Sequence, residues 1–168
     1  MAKEKKILII AGIVVVVLAL AGYGFGFYYY SRGQVAERYE AAAKKSFKDS
    51  LEYQVWSDTK KEIKTSEVKY TDTKSTQAYS KSQLMSGERM QKVGRQFLIF
   101  PKWRVVVDPG TVDLTVNTAD LNVTINGVSY ATTDGNNYTA KLNHLYPGTY
   151  NFVASGKVND QDITVSSE

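Results

Sequence analysis

An uninterrupted apolar run near the N-terminus dominates the hydrophobic pattern of the chain. Between Lys6 and Arg32, 25 residues carry no charge, which is enough α-helix to cross a hydrocarbon core of about 30 Å. Residues 7–30 are therefore predicted to form a transmembrane helix that follows a cytoplasmic tail at residues 1–6. Aromatic residues, which favour membrane interfaces, cluster at its C-terminal end: Tyr23, Phe25, Phe27, Tyr28, Tyr29 and Tyr30.

The lysines before this run favour a cytoplasmic N-terminus. Lys3, Lys5 and Lys6 lie beside the apolar residues, whereas the basic residues beyond the run alternate with acidic ones. This predicts a single-pass protein of the cell membrane with its C-terminal domain outside. The alternative is a cleaved signal peptide, because Ala19-Leu20-Ala21 fits the small-x-small cleavage pattern. The apolar run continues well past that point, which favours an uncleaved anchor.

A basic region predicted to be mainly helical follows at residues 31–95. Its first part has apolar residues at spacings of three and four, typical of an amphipathic helix: Val35, Tyr39, Ala42, Ala43, Phe47 and Leu51. Two interpretations remain open for this helix. It docks on its own domain, or it lies against anionic polymer or lipid head groups at the membrane face.

The rest of the basic region divides into a polar segment and a second predicted helix. Residues 57–75 contain few large apolar residues, which predicts the least ordered part of the chain or a polar connection. From Thr76, Leu84 and Met90 belong to a set of apolar residues at roughly helical intervals, with Gly94 as the expected end of the helix.

From residue 96 the chain reads as short β-strands separated by Pro, Gly, Asn and Asp. The runs start with QFLIF and WRVVVD, and residues 96–168 are predicted to form a small all-β domain, sandwich-like and antiparallel. Alternation predicts the inward-facing residues: Val112, Leu114, Val116, Leu121, Val123, Ile125, Val128, Tyr130, Tyr138, Ala140, Leu142, Tyr150, Phe152 and Ala154. Asn126-Gly127 predicts a type I′ hairpin turn.

Charge and cysteine content exclude several classes of function. Residues 31–100 contain fourteen basic and nine acidic side chains, and residues 101–168 contain four basic and seven acidic ones. The basic surface thus lies beside the membrane and not on the β domain, which argues against a nucleic-acid partner. The chain has no cysteine, so disulfides, thiolate metal sites and cysteine nucleophiles are excluded.

No catalytic motif is recognisable, so we expect neither an enzyme nor a cofactor or metal site. The single histidine, His144, precedes a turn and has no G-x-S-x-G nucleophile motif to serve. Asp134-Gly135-Asn136-Asn137 lacks the spacing of a calcium loop. The remaining candidates are contacts to a polymer or partner protein: Lys44, Lys45, Lys48, Lys60, Lys61, His144 and Tyr146.

Three stretches carry a resemblance to a known family: VGRQFLIFPKWRVVVDP, LTVNTADLNVTINGVSY and TTDGNNYTAKLNHLYPGTYNF. Together they resemble the TcaA family, membrane-anchored envelope proteins of Firmicutes linked to wall stress and glycopeptide susceptibility. The segment TINGVSY to LYPGTYNF is also similar to PEGA-type β modules. Family members commonly begin with a cytoplasmic zinc ribbon, which the six residues before the apolar run do not provide.

The resemblance and the predicted anchor lead to two functional hypotheses. The first is a non-catalytic, membrane-anchored binding or assembly module at the interface between membrane and cell wall, with the bilayer, an anionic wall polymer or a membrane protein as partner. The alternative is a regulatory subunit that acts on a membrane enzyme or sensor through stalk and helix contacts. A hydrolase is a third and less favoured possibility, because it requires a catalytic pair within one cleft.

Overall fold

A computed structural model describes residues 2–168, with side chains from Lys5 onward. The helices are α1 (Ala2–Tyr29), α2 (Arg32–Lys45), α3 (Phe47–Ser50) and α4 (Lys81–Ser86), and a 3₁₀ turn spans Leu51–Tyr53. The strands are β1 (Gln54–Trp56), β2 (Met90–Gln96), β3 (Phe100–Val107), β4 (Gly110–Val116), β5 (Asn122–Ile125), β6 (Val128–Thr132), β7 (Tyr138–Leu145), β8 (Phe152–Val158) and β9 (Gln161–Ser167).

Helix α1 contains the predicted apolar segment. Its stretch Lys5–Tyr29 includes 18 consecutive residues with a mean hydropathy of 2.7, none of them buried. The 25 residues of the stretch are about 38 Å long at 1.5 Å per residue, and only Gly26 among them is buried. This is consistent with a membrane anchor or a signal sequence. The helix begins at Ala2, so residues 2–6 extend it instead of forming a separate tail, and Met1 lies outside the described residues.

The region after α1 combines two helices with a three-stranded sheet. Strand β3 lies in the middle, parallel to β1 and antiparallel to β2. Helices α2 and α4 pack together, and their apolar side chains share one core with the sheet: Val35, Ala36, Tyr39, Leu84, Met90 and Val105. The amphipathic helix predicted from Val35 onward therefore docks on its own domain.

One prediction for this region is incomplete and another is wrong. Helices α2, α3 and α4 lie within residues 31–95, but so do the strand β1 and most of β2, which were not expected. The second helix ends at Ser86, where Gly87 is the C-cap, and residues from Met90 onward form a strand instead of continuing to Gly94. Gly94 lies at an irregularity in the β2–β3 pairing. Met90 still lies in the core, but it does so as a residue of β2 paired with Val105.

The distal part consists of two antiparallel sheets, as the alternating pattern predicts. Strands β4 and β7 form one sheet, and the other has the order β6-β5-β8-β9. Side chains from both sheets meet in one core around Ile125, Leu142 and Leu145. The predicted inward-facing residues are buried or half-buried except Val128, which is 40% exposed at the start of an edge strand. Asn126 and Gly127 both have positive φ, as a type I′ turn requires.

Residues 57–80 join the two parts, and they include residues 57–75, which were expected to be the least ordered part of the chain or a polar connection. Ile63 and Val68 are buried in a third core with Trp56 and Val107, and this core receives Tyr146 from the distal part. Few apolar residues suffice here, because this segment fills a gap between two other units and needs no core of its own. The predicted boundary between residues 95 and 96 falls inside the β2–β3 hairpin, so β3 belongs to the three-stranded sheet. Helices α2 to α4 and this sheet are called the membrane-proximal part, after their predicted place, and strands β4 to β9 the distal part.

Candidate functional site

The five candidate lysines lie on three neighbouring segments of the membrane-proximal part. Lys44 and Lys45 end α2, where each pairs with a carboxylate, Glu40 at 2.7 Å and Asp49 at 3.5 Å. A hydrogen bond from Lys44 lowers the pKa of Glu40, and the backbone N–H of Lys81 adds to this effect.

The other three lysines are also exposed, on α3 and on the turn after β1. Lys60 donates a hydrogen bond to the side chain of Gln91 at 2.9 Å. Lys48 and Lys61 are exposed and make no salt bridge or side-chain hydrogen bond within residues 2–168. Among the five candidate lysines, these two are the ones whose charge is available to an external anion.

His144 lies at a β-bulge that aims it at the membrane-proximal part. The β4–β7 register shifts between Gly110 and Val112, and His144 has a φ of 55°, a conformation that costs energy in a residue other than glycine. Its Nε2 atom lies 2.9 Å from Asp58 Oδ2, and its ring meets Trp56 edge-on at 5.4 Å between centroids. The histidine thus joins the two parts instead of projecting freely.

The electrostatics of this pair favour a charged carboxylate. Desolvation opposes ionisation of Asp58, but the backbone N–H of Thr59 and the ring of His144 outweigh it, so the pKa of Asp58 is lowered. Both side chains are roughly half exposed, which makes the pair a surface contact of modest strength.

Tyr146 is buried, which corrects the expectation that it is available to an outside partner. Its side chain is 6% exposed in the core between the two parts. Its hydroxyl donates to Gln54 Oε1 at 2.7 Å, Gln54 Nε2 donates to Ser50 Oγ at 2.8 Å, and Ser50 Oγ donates to the carbonyl of Phe47 at 2.6 Å. Burial raises the pKa of Tyr146, so the hydroxyl stays protonated as a donor.

The C-terminal end of α1 contacts the β2–β3 hairpin. The ring of Phe100 lies within 6.0 Å, between centroids, of the rings of Tyr23, Phe27 and Tyr30. Gly26 makes room for this ring, since a Cβ there would lie less than 3 Å from three ring carbons of Phe100. The folded part is therefore seated directly against the last two turns of the apolar helix.

The loop of this hairpin is apolar and exposed. Phe97, Leu98 and Ile99, here called the hairpin tip, are 68%, 87% and 50% exposed. The QFLIF run is thus not one strand: its three middle residues form the turn, and its first and last residues end β2 and begin β3. Phe97 and Leu98 both have positive φ, and the N–H of Ile99 donates to the carbonyl of Gln96 at 3.2 Å, which is the geometry of a type I′ turn.

A cavity of about 200 Å³ lies between the hairpin, the end of α1 and α2. Its lining includes the cations Arg38, Lys102 and Arg104 with one carboxylate, Glu52. Arg104 donates to the carbonyl of Trp103, but its Nε atom is buried with no hydrogen-bond partner among the described residues. Burial lowers the pKa of Arg104. We call this pocket the interfacial cavity.

Neither Gly26 nor the hairpin tip was foreseen as a functional feature. The available signal was a run of four apolar residues, Phe97 to Phe100, in a chain that also carries a long apolar segment. Because apolar runs of this length are typical of strands, the pattern alone favoured a strand. An apolar groove of about 290 Å³ between β4 and the β8–β9 hairpin was also not foreseen.

Within the part of the chain that the structure describes, no three His, Asp or Glu side chains are grouped so as to hold a metal ion. Comparisons with protein-family models, with curated proteins and with solved structures found no match to this chain.

Proposed function

We propose that this chain is a non-catalytic, membrane-anchored protein of the cell envelope, whose distal β part is a binding or assembly module held at the membrane surface. The observation that carries the proposal is the seat of Phe100 on Gly26. Through it an exposed apolar helix long enough to span a bilayer is fixed to the folded part by side-chain packing as well as by the chain itself.

The contact between Phe100 and Gly26 limits how far the folded part can move relative to the helix. A module on a flexible linker samples a large volume, whereas one seated on its anchor stays at a fixed distance from the bilayer. Confinement raises the effective concentration of nearby targets, so weak contacts suffice for binding. The buried Tyr146 network extends the same fixed arrangement to the distal sheets.

We also propose that the chain is similar to the TcaA family in function, that the distal part lies outside the cell, and that its two sheets form a small sandwich. The partner that suits the exposed lysines is an anionic wall polymer. Lys48 and Lys61 supply charge that is not paired within the described part of the chain.

Retention of the detergent-solubilised full chain by purified cell wall tests this function. We expect retention that weakens as salt rises, and that falls in a Lys48→Gln/Lys61→Gln variant. A Lys141→Gln/Lys157→Gln variant removes the same charge from the distal sheets and is expected to bind normally. No retention of the wild-type chain, together with co-purification of a membrane protein, contradicts the binding role and favours the regulatory alternative.

A further inference from the structure

The amino acids of the hairpin tip do not suit its backbone conformation. Three hairpins in the described part of the chain have a turn whose two central residues have positive φ. Two of them use residues that tolerate this conformation, Asn126-Gly127 and Asn159-Asp160, whereas the third uses Phe97-Leu98. Large side chains disfavour positive φ, so turn formation does not account for the choice of Phe and Leu.

Solvation does not account for the choice either. Burial removes apolar side chains from water, yet Leu98 is 87% exposed and Phe97 is 68% exposed. The other strongly exposed large apolar side chains in the described part of the chain are confined to α1, apart from isolated positions such as Met85 and Val165. Three consecutive ones at a strained turn form an apolar patch that needs a cover.

The position of the tip identifies that cover. Phe97 lies 6.1 Å from Tyr30 between ring centroids, and Phe100 packs against the helix between Tyr23 and Tyr30. The apolar span of α1 runs to Tyr29, so the tip stands at the depth where that span leaves the hydrocarbon core. A tip at this depth meets the interface of the bilayer that holds α1.

The interfacial cavity lies at the same level, since Tyr29 and Tyr30 line it together with Gln96 of the hairpin. Lys102 is paired with Glu62 at 2.9 Å, so the three cations of the lining and the carboxylates of Glu52 and Glu62 leave one net positive charge. Arginine is suited to phosphate, and Arg104 has a buried N–H without a partner among residues 2–168. A lipid phosphate lies at the depth of this cavity when the tip reaches the acyl chains.

We propose that the hairpin tip is a second membrane-contact element, which inserts Phe97, Leu98 and Ile99 into the bilayer interface beside α1 while the interfacial cavity holds the phosphate of an anionic phospholipid. This inference rests on the proposed anchoring by α1. It adds a second attachment point, so the folded part cannot rotate about the end of the anchor.

The test uses the absence of cysteine from the chain to place single nitroxide labels on the full-length protein in vesicles of phosphatidylcholine and phosphatidylglycerol. Labels are attached to Val16→Cys in α1, Leu98→Cys at the tip and Val165→Cys on β9, all exposed positions. We expect the labels at 16 and 98 to collide with oxygen more than with a water-soluble nickel complex, and the label at 165 to do the reverse.

The outcomes separate the two proposals. A label at 98 that behaves like the label at 165, with the label at 16 in lipid, overturns tip insertion and leaves anchoring intact. A label at 16 that is exposed to nickel overturns both. The Phe97→Asn/Leu98→Gly variant has residues that suit the turn and is expected to fold in micelles. In vesicles, a label at Ile99→Cys in this variant should be at least threefold more accessible to nickel than the same label beside the native Phe97 and Leu98. Unchanged accessibility there also overturns insertion.

The lipid arm uses brominated lipids, which quench the fluorescence of Trp103 in the lining of the interfacial cavity. We expect brominated phosphatidylglycerol to quench more strongly than brominated phosphatidylcholine. Arg38→Gln should abolish the difference, and Lys92→Gln, which removes a similar charge on β2 outside the cavity, should preserve it. Equal quenching by the two lipids in the wild-type protein overturns the phosphate site.

Discussion

Removal of the Tyr146 hydroxyl is expected to loosen the joint between the membrane-proximal and distal parts. In Tyr146→Phe the ring still fills its place in the core, but Gln54 Oε1 loses its 2.7 Å donor while it remains buried. A buried polar atom left without a partner costs about 1–3 kcal/mol. For a chain of this size each kcal/mol lowers the melting temperature by roughly 2–4 °C.

The fluorescence of Trp56 reports this joint directly. Its side chain is 2% exposed, and its ring lies 6.4 Å from that of Tyr146 between centroids. We suggest denaturant unfolding of the full chain in micelles, on a Trp103→Phe background so that Trp56 is the single emitter. Tyr146→Phe should shift the midpoint to lower denaturant without changing the slope.

A double-mutant cycle separates the hydrogen bond from general damage. Tyr146→Phe/Gln54→Leu removes both polar partners, and replacement of both partners by apolar groups of similar shape is close to neutral. The double variant should therefore be more stable than the two single losses predict when added. A Tyr146→Phe protein within 0.5 kcal/mol of the parent, or strict additivity in the cycle, would refute the role given to this network.

Three further predictions concern the anchor seat, a distal turn and a surface ion pair. Gly26→Ala should displace Phe100, because the new Cβ overlaps its ring, and increase protease cleavage near the hairpin; unchanged cleavage argues against the seat. Asn126→Ala loses hydrogen bonds to three backbone groups as well as a residue that tolerates positive φ, so it should cost about 2–3 kcal/mol, against about 1 kcal/mol for Asn159→Ala; equal losses in thermal melts would contradict this. A hydrogen bond from Lys102 lowers the pKa of Glu62. The ion pair therefore contributes its full stabilisation above the ordinary pKa of a glutamate, and this stabilisation is lost as pH falls through the lowered pKa of Glu62. Glu62→Gln should then flatten the acid limb of a stability–pH curve, and an unaltered limb would count against the pair.

Features that depend on local sequence could be predicted, whereas features that depend on distant partners could not. The long apolar helix follows from 25 uncharged residues, and the Asn126-Gly127 turn follows from its two residue types. Met90 was placed in a helix because its spacing from Leu84 is compatible with one, but its partner Val105 lies in a strand that no local pattern connects to it.

The same limit applies to the candidate site. Tyr146 in sequence is a tyrosine beside a turn, and its burial depends on Gln54, 92 residues earlier. The bulge at His144 arises because β7 has one more residue than β4 between two paired positions, and this is visible only once the two strands are aligned. The role of Gly26 depends on the ring of Phe100, 74 positions away. Apolar tip residues were assigned to a strand because hydrophobic pattern does not record exposure.

Placement of the distal part on the outer side of the membrane is the claim that most directly decides the account. A single cysteine at the exposed position Val165, in a chain that has no other, can be treated with a membrane-impermeant maleimide on intact cells that produce the full-length protein. With the distal part outside, we predict labelling of intact cells to the same extent as permeabilised cells. Labelling that requires permeabilisation would contradict it.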